Sequence, residues 1–306
     1  MSPSPAPRRA HLLLAFAIVY VVWGSTYLAM RVAVHTLPPF LMGGVRFVVA
    51  GLLLAAWVGA RERPGWPTRR QWQWALVTGA LLMVGGNGGV SWATARGVPS
   101  RVVALLAASL AIWMVVLDAL RPGGRRPPAL VWLGLALGIV GVAVLVGPAR
   151  LAGAGTIDLL GAALALGGSL AWAAGSLLAR GGARPPSALW GSALQMLCGG
   201  ALLLALAGAH GDFARLAAPA GAPSAASLAA MAYLVVFGSL VGFTAYVWLL
   251  QHAAPAKVAT YAYVNPLVAV GLGWALGSEP LGARTVAAAG VIVGGVALIT
   301  AGRARG

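Results

Sequence analysis

The residues best placed to bind a small molecule are hydroxyl, amide and aromatic side chains inside long apolar runs. Tyr20, Trp23 and Tyr27 recur at spacings of three and four, so a helix presents them on one face. Similar sets recur further along, with Asn87, Ser91 and Thr94, then Ser169, Trp172 and Ser176, then Ser239 and Tyr246, and finally Tyr261 and Asn265. Such groups hold a ligand by hydrogen bonds and ring contacts.

Covalent and metal chemistry lack the residues they need. Ser25 and Ser176 are available as nucleophiles, but no His, Asp or Glu falls near the middle of an apolar run to activate them. Cys198 is the single cysteine, and the histidines lie apart at or near the ends of runs, at His11, His35, His210 and His252. The sequence therefore predicts no catalytic residue, no metal site and no cofactor.

Arg46 is the exception to an otherwise uncharged set of run interiors. An unpaired charge at that depth in a bilayer costs about 2.5–3.5 kcal/mol on insertion scales. Two interpretations stay open: Arg46 binds an anionic group of a substrate, or it caps helix carbonyls or snorkels to the interface. The five carboxylates fall at run ends or in loops, so carboxylate-based proton coupling is not predicted.

The composition is that of a membrane protein. The chain has 306 residues, 60% hydrophobic and only 8% charged, whereas a soluble domain carries charges at roughly a quarter of its positions. A net charge of +16 raises the possibility of a nucleic-acid partner. However, the basic residues lie in short gaps and form no patch interleaved with aromatics. The predicted surroundings are the lipid bilayer, with no nucleic acid.

Ten apolar runs are long enough to span a bilayer, which takes about 20 residues. They cover roughly 11–30, 38–60, 72–94, 99–120, 129–147, 157–178, 188–208, 227–250, 257–277 and 283–301. The first follows Arg8 and Arg9, as in a signal peptide, but its length predicts an uncleaved helix. The predicted fold is an all-α polytopic membrane protein of ten transmembrane helices.

Lys and Arg are unevenly divided between the two sides of such a protein. With the N-terminus inside, the inner loops hold more than twice as many of them as the outer loops. This bias predicts that both termini are cytoplasmic.

The two halves of the chain resemble each other. Residues 92–102 align with 248–258, residues 141–145 with 295–299, and a Trp followed by an Arg eight residues later occurs in the first run of each half. Each half holds five runs, so residues 11–147 and 157–302 are predicted to be inverted repeats. Repeats of this kind place a site near the midplane and expose it alternately to each side.

Polar faces are costly in lipid, so they are expected to line a cavity between the repeats. The candidate substrate-binding residues are Trp23, Tyr27, Arg46, Asn87, Ser91, Trp172, Ser176, Tyr246, Tyr261 and Asn265. An aromatic box would favour apolar or cationic compounds, whereas an inward Arg46 would favour acids. Ser and Thr can instead bond their own helix, and an Asn can join two helices.

Glycines four residues apart indicate close helix packing. Gly134 and Gly138, and Gly290 and Gly294, form such pairs in the fifth and tenth runs, and these faces allow a homodimer. The glycine-rich stretch at 85–89 lies within a membrane run and follows no strand, so it is not a nucleotide loop.

Several short motifs occur in one order along the chain, at residues 23–27 (WGSTY), 46–47 (RF), 86–88 (GNG), 98–100 (VPS), 263–267 (YVNPL) and 277–281 (GSEPL). Together the motifs resemble the drug/metabolite transporter superfamily, with the closest similarity to ten-helix EamA-type transporters. The resemblance implies a multi-pass transporter of the bacterial inner membrane that exports small metabolites, amino acids or drug-like compounds. The alternatives are a membrane scaffold, a lipid scramblase or an intramembrane enzyme.

Overall fold

The computed structural model describes residues 9–95, 98, 106–124, 126–146, 158–217, 222–277 and 282–302. Its regular structure over these ranges is entirely helical. Seven helical stretches are long and apolar enough to cross a membrane: Arg9–Met30, Pro39–Glu62, Arg69–Ala93, Leu159–Ala179, Ala188–Ala209, Ala225–His252 and Ala283–Gly302. The shorter apolar helices Leu106–Leu120 and Ala129–Leu145 accompany them. The protein is thus an all-helical, multi-pass membrane protein.

The helices of the first half are α1 (Arg9–Ala33), α2 (Pro39–Glu62), α3 (Arg69–Gly79), π1 (Ala80–Gly88), α4 (Gly89–Ala95), α5 (Leu110–Leu120) and α6 (Ala129–Val146). Those of the second half are α7 (Leu159–Ala179), α8 (Ala188–Ala209), α9 (Asp212–Ala217), α10 (Ala225–Tyr233), π2 (Leu234–Val241), α11 (Gly242–His252), α12 (Pro255–Val258), α13 (Tyr261–Gly277) and α14 (Ala283–Gly302).

Two of the long helices contain an inserted π-helical stretch. π1 joins α3 to α4, and π2 joins α10 to α11, without a break in the chain's helical path. Each composite helix begins at a capping side chain, Thr68 in a capping box with Gln71 and Ser224 bonded to the Ser227 N–H. π-Helical turns are rare and often occur at functional sites, and both stretches contribute to the cavity described below.

Glycines bring helices of opposite halves into backbone contact. A Cβ atom on Gly44 would lie 2.9 Å from the backbone nitrogen of Leu204, so α2 packs closely on α8. A Cβ atom on Gly134 would lie 2.6 Å from the carbonyl oxygen of Gly295, so α6 packs closely on α14. These two cross-half pairs hold the bundle together.

The predicted glycine pairs have different surroundings. Gly134 and Gly138 meet Gly295 and Tyr263 inside the chain, whereas Gly290 and Gly294 have nothing within 4 Å of an added Cβ atom. The fifth-run face is therefore used within the molecule. The homodimer stays a prediction.

The ninth predicted run differs from the helices that the structure shows there. The run 257–277 contains two helices, because α12 ends at Val258 and α13 begins at Tyr261. Pro266 lies inside α13 and does not end it. Its missing N–H still leaves the carbonyl of Ala262 without a helical donor. The start of the run 99–120 lies outside the described residues.

Candidate functional site

A cavity of about 150 Å³ lies between α1, α2, α5, α7, α13 and the two composite helices. Along α1 it extends from Trp23 to Met30. Trp23 is 14 residues into α1, about 21 Å along the helix axis, so the cavity starts deep within the span. Seven of the predicted site residues line it: Trp23, Arg46, Asn87, Ser91, Trp172, Tyr261 and Asn265.

The other three predicted residues are placed differently. Tyr246 and Ser176 are fully buried and lie beside Trp172 behind the cavity wall rather than among its lining residues. The Tyr27 side chain lies outside the described part of the structure.

A cluster of four rings closes one end of the cavity. The ring of Trp23 meets Trp172 and Tyr261 edge-on, with centroids 5.7 Å and 5.0 Å away, and lies 4.8 Å from Tyr246. Edge-to-face contacts of this kind stabilise aromatic pairs beyond the area they bury. We call Trp23, Trp172, Tyr246 and Tyr261 the ring cluster.

Hydrogen bonds fix the orientation of these rings. Trp172 Nε1 donates to the Tyr246 hydroxyl at 3.0 Å, and Ser176 Oγ donates to the Trp172 carbonyl at 2.6 Å. Because the Ser176 proton is engaged there, the Tyr246 hydroxyl donates to Ser176 Oγ. Trp23 Nε1 donates to the carbonyl of Gly238 in π2 at 3.0 Å. The indole protons of Trp23 and Trp172 and the hydroxyl protons of Ser176 and Tyr246 therefore all have acceptors.

Arg46 reaches the cavity from α2. Its Nε donates to Ser239 Oγ at 2.7 Å, and its guanidinium carbon lies 4.9 Å from the centre of the Phe47 ring. The residue is only 6% exposed. Among the described residues, no carboxylate lines the cavity or pairs with Arg46.

Two amide side chains complete the polar wall. Asn87 Nδ2 donates to the Leu82 carbonyl, five residues earlier in π1, at 3.4 Å. The Asn265 amide nitrogen, oriented to donate, lies 3.1 Å from the Tyr261 carbonyl oxygen and 3.3 Å from that of Tyr20. Both amides thus engage backbone carbonyls while facing the cavity.

Beyond the ring cluster, the helices are joined by further polar contacts. The hydroxyls of Tyr20 and Thr260 lie 2.6 Å apart, and Arg180 Nη1 donates to the Ala253 carbonyl at 2.8 Å. Burial lowers the pKa of Arg180, nearby Asp118 raises it, and Arg121 lowers it again. The Asp118 carboxylate also pairs with Arg121 at 2.8 Å. These contacts lie on the side of the ring cluster away from the cavity.

The sequence-based set omitted part of the lining. It left out several lining residues, among them Thr26, Met30, Phe47, Gly86, Val90, Phe243 and Ala262. Phe47 and Gly86 are next to Arg46 and Asn87 in the short motifs at 46–47 and 86–88. Membership of these motifs could have identified both as lining residues. Ser169 also lines the cavity and had been recognised only as part of a polar face, and Ser239 proves to be the partner of Arg46.

Comparison with known proteins is consistent with this architecture. An Escherichia coli (strain K12) relative, "Uncharacterized inner membrane transporter YedA", is 37% identical over 291 residues, covering 94% of this chain and 90% of the relative. "Uncharacterized transporter YvbV" of Bacillus subtilis (strain 168) is 27% identical over 300 residues, covering 98% and 93%. A solved crystal structure superposes with a TM-score of 0.76 at 22% identity, covering 95% of this chain and 97% of that one. At that identity the likeness shows the fold alone.

The structure is an all-helical membrane bundle around a ring-lined cavity, and the relatives that it resembles over most of their length are named as transporters. The model of the EamA-like transporter family matches residues 11–147 and 159–301. The chain belongs to the EamA-like transporter family, as its motifs had indicated, and is a multi-pass protein of the inner membrane.

Proposed function

We propose that the protein is a secondary transporter that exports small metabolites by alternating access, with the cavity as its substrate site. The observation that carries this proposal is a buried cavity in which polar and aromatic side chains from both halves converge, closed at one end by the ring cluster. A cavity closed at one end and lined along a helix is what one state of an alternating-access cycle requires.

The proposed topology is ten helices in two inverted five-helix repeats, with both termini in the cytoplasm. Two successive family matches of similar length support the duplication. The excess of Lys and Arg in the predicted inner loops supports the orientation. Since the ring cluster lies toward the N-terminal part of α1 relative to the cavity, this orientation makes the described state closed to the cytoplasm and outward-facing.

The packing bears on how such a cycle would proceed. The pairs α2–α8 and α6–α14 each join the two halves through glycine-mediated backbone contact. Rocking one half rigidly against the other would break both pairs. We therefore place the movement in α1, α7, α13 and the two composite helices, with π1 and π2 as the bending points, and keep the pairs α2–α8 and α6–α14 fixed.

The energy source under this proposal is a gradient. The only lysine, Lys257, is preceded by Ala and followed by Val, so the chain has no Gly-Lys-Ser/Thr phosphate-binding loop for ATP. The coupled ion would have to be bound without a carboxylate from the described cavity lining.

A reconstitution experiment tests the function. Purified protein in liposomes would be loaded with single compounds from panels of amino acids, organic acids, amines and neutral metabolites, and release would be compared with protein-free liposomes. Faster release of at least one compound supports transport. Unchanged release of every panel compound by folded protein contradicts it, and accelerated flipping of labelled lipid in the same vesicles would favour the scramblase alternative.

A further inference from the structure

We propose that the cavity takes a small organic acid, with the carboxylate held by Arg46 and an apolar ring held against the ring cluster. This inference rests on the proposed function, because it names the substrate class of the same site. It combines a buried cation with an aromatic pocket. The cation alone would favour an acid, and the pocket alone would favour an apolar or cationic compound.

The guanidinium of Arg46 has unused hydrogen-bonding capacity. A guanidinium carries five N–H donors, and the structure engages one of them, the Nε proton, with Ser239 Oγ. The remaining donors belong to a residue 94% buried, beside the Phe47 ring and the π2 backbone. A carboxylate matches the planar fork of an arginine in a bidentate pair.

Burial makes that pairing more valuable. A cation at membrane depth is costly without a counter-ion, and in the described lining the only polar side chains near the guanidinium are uncharged. An arriving carboxylate supplies the missing negative charge. A cationic substrate would instead add a second positive charge to the same cavity. The aromatic rings of the cavity would attract a cation if Arg46 were absent.

The two binding features lie on either side of one residue. Trp23 Nε1 donates to the Gly238 carbonyl at 3.0 Å, and a Cβ atom on Gly238 would lie 2.7 Å from Arg46 Nη2. The guanidinium and the Trp23 indole therefore both lie beside Gly238, and both residues line the same cavity. A ligand of the size of a phenyl ring plus a short carboxylate arm can contact both.

The cavity volume sets the scale of the ligand. Its free volume is about 150 Å³, and an engineered protein cavity of that volume binds benzene. A single ring with a small acidic group therefore fits this state.

Four probes separate the charge and ring requirements. Phenylacetate, phenylacetamide and 2-phenylethylamine share a phenyl ring and differ in charge, and acetate keeps the charge without the ring. Binding of each to full-length protein in nanodiscs of zwitterionic lipid would be measured by calorimetry at neutral pH. Binding rather than flux is measured, because weak acids and neutral amides cross membranes unaided.

We expect phenylacetate to bind at least about tenfold more tightly than the other three probes. Arg46→Lys should keep part of that preference, and Arg46→Gln should remove it. Equal or tighter binding of the amide or the amine would overturn the proposal, as would failure of all four probes to bind to folded wild-type protein. Selectivity that survives in folded Arg46→Gln would also overturn it.

A second variant covers the case in which Arg46→Gln does not fold. Gly238→Ala leaves the charge in place but puts a methyl group 2.7 Å from Arg46 Nη2 and 3.0 Å from Thr26 Cγ2, so the guanidinium must shift and the preference for phenylacetate should fall. Gly290→Ala, which meets no neighbour within 4 Å, is the matched control. Acid binding without flux in the liposome panel would contradict the proposed transport but leave the proposed ligand class intact. Flux of other compounds without acid-selective binding would support transport and contradict the ligand class.

Discussion

The hydroxyl groups of Tyr20 and Thr260 lie 2.6 Å apart, although 240 residues of sequence separate them. Tyr20 is in α1, one turn before Trp23, and Thr260 immediately precedes α13. The contact therefore joins the two halves of the chain just beyond the ring cluster. If the protein alternates between states, this contact must open when the cavity faces the cytoplasm.

A cysteine pair tests that requirement. In a Cys198→Ser background, which removes the single native cysteine, Tyr20→Cys and Thr260→Cys together should be cross-linked by a short bis-methanethiosulfonate, which forms a disulfide with each thiol and releases sulfinate. Cross-linking should stop transport, and reduction of a cleavable linker should restore it. The measurement is liposome flux before and after cross-linking.

The matched pair for this experiment is Thr78→Cys with Gln195→Cys. These side chains also join opposite halves, since Gln195 Nε2 donates to Thr78 Oγ1 at 2.9 Å, but they lie between α3 and α8, away from the cavity lining. Cross-linking here should leave flux unchanged. Equal inhibition by both pairs would place the movement elsewhere.

Tyr246→Phe should destabilise the protein by about 1–3 kcal/mol, because it leaves the partly buried Trp172 indole proton without its acceptor. Trp172→Phe removes the unpaired donor, so the double variant should lose less stability than the sum of the two single variants. Thermal unfolding monitored by circular dichroism gives the three values. Additive losses would mean that the hydrogen bond contributes nothing of its own.

Gly86→Ala should move the Trp172 ring, because the new methyl group would overlap it. Overpacking of this kind costs about 1–3 kcal/mol, and the displaced ring should reduce cavity volume and ligand binding. Gly294→Ala, also a helical glycine, meets nothing within 4 Å and should be neutral or stabilising by up to about 1 kcal/mol. Binding assays and melting curves on both variants check the difference, and intact binding in Gly86→Ala would argue against the assigned role of Trp172.

Asn87→Ala should impair transport without loss of membrane insertion, because Asn87 is one of the two amides of the cavity wall. Tyr246→Ala should do the same by removing support for Trp172. Ser192→Ala is the control: this buried hydroxyl bonds the Ala188 carbonyl of its own helix and lies away from the cavity lining. Flux per unit of membrane-inserted protein is the readout. Normal flux in both test variants would mean that the site is elsewhere.

Helical spacing predicted much of the polar and aromatic part of the cavity wall. Trp23, Trp172, Tyr261 and Asn265 each belong to a polar face that lipid disfavours, and the structure turns those faces toward one another. The repeating spacing identifies such a face without any knowledge of its partner. The all-helical, multi-pass fold was predicted from apolar runs in the same way.

Helical spacing in the sequence could not predict the contacts between distant helices. Nothing local in the sequence links Arg46 to Ser239, or Tyr246 to both Ser176 and Trp172, because tertiary packing alone brings these residues together. The π-helical stretches were missed for a related reason: their sequences are apolar, like the rest of the membrane runs, and nothing in them marks the wider helical turn. Glycine spacing predicted a close approach at Gly134 but could not identify Gly295 as its partner.

The interlocked pairs α2–α8 and α6–α14 also bear on how the chain is made. α2 ends at Glu62, and α8 begins only at Ala188, so more than a hundred residues must be synthesised before α2 meets its partner. At the usual ~5–20 residues per second, the glycine face of α2 waits in the bilayer for several seconds. Neither half can complete its packing alone. Two separately expressed halves should therefore be degraded individually and persist only when they are produced together.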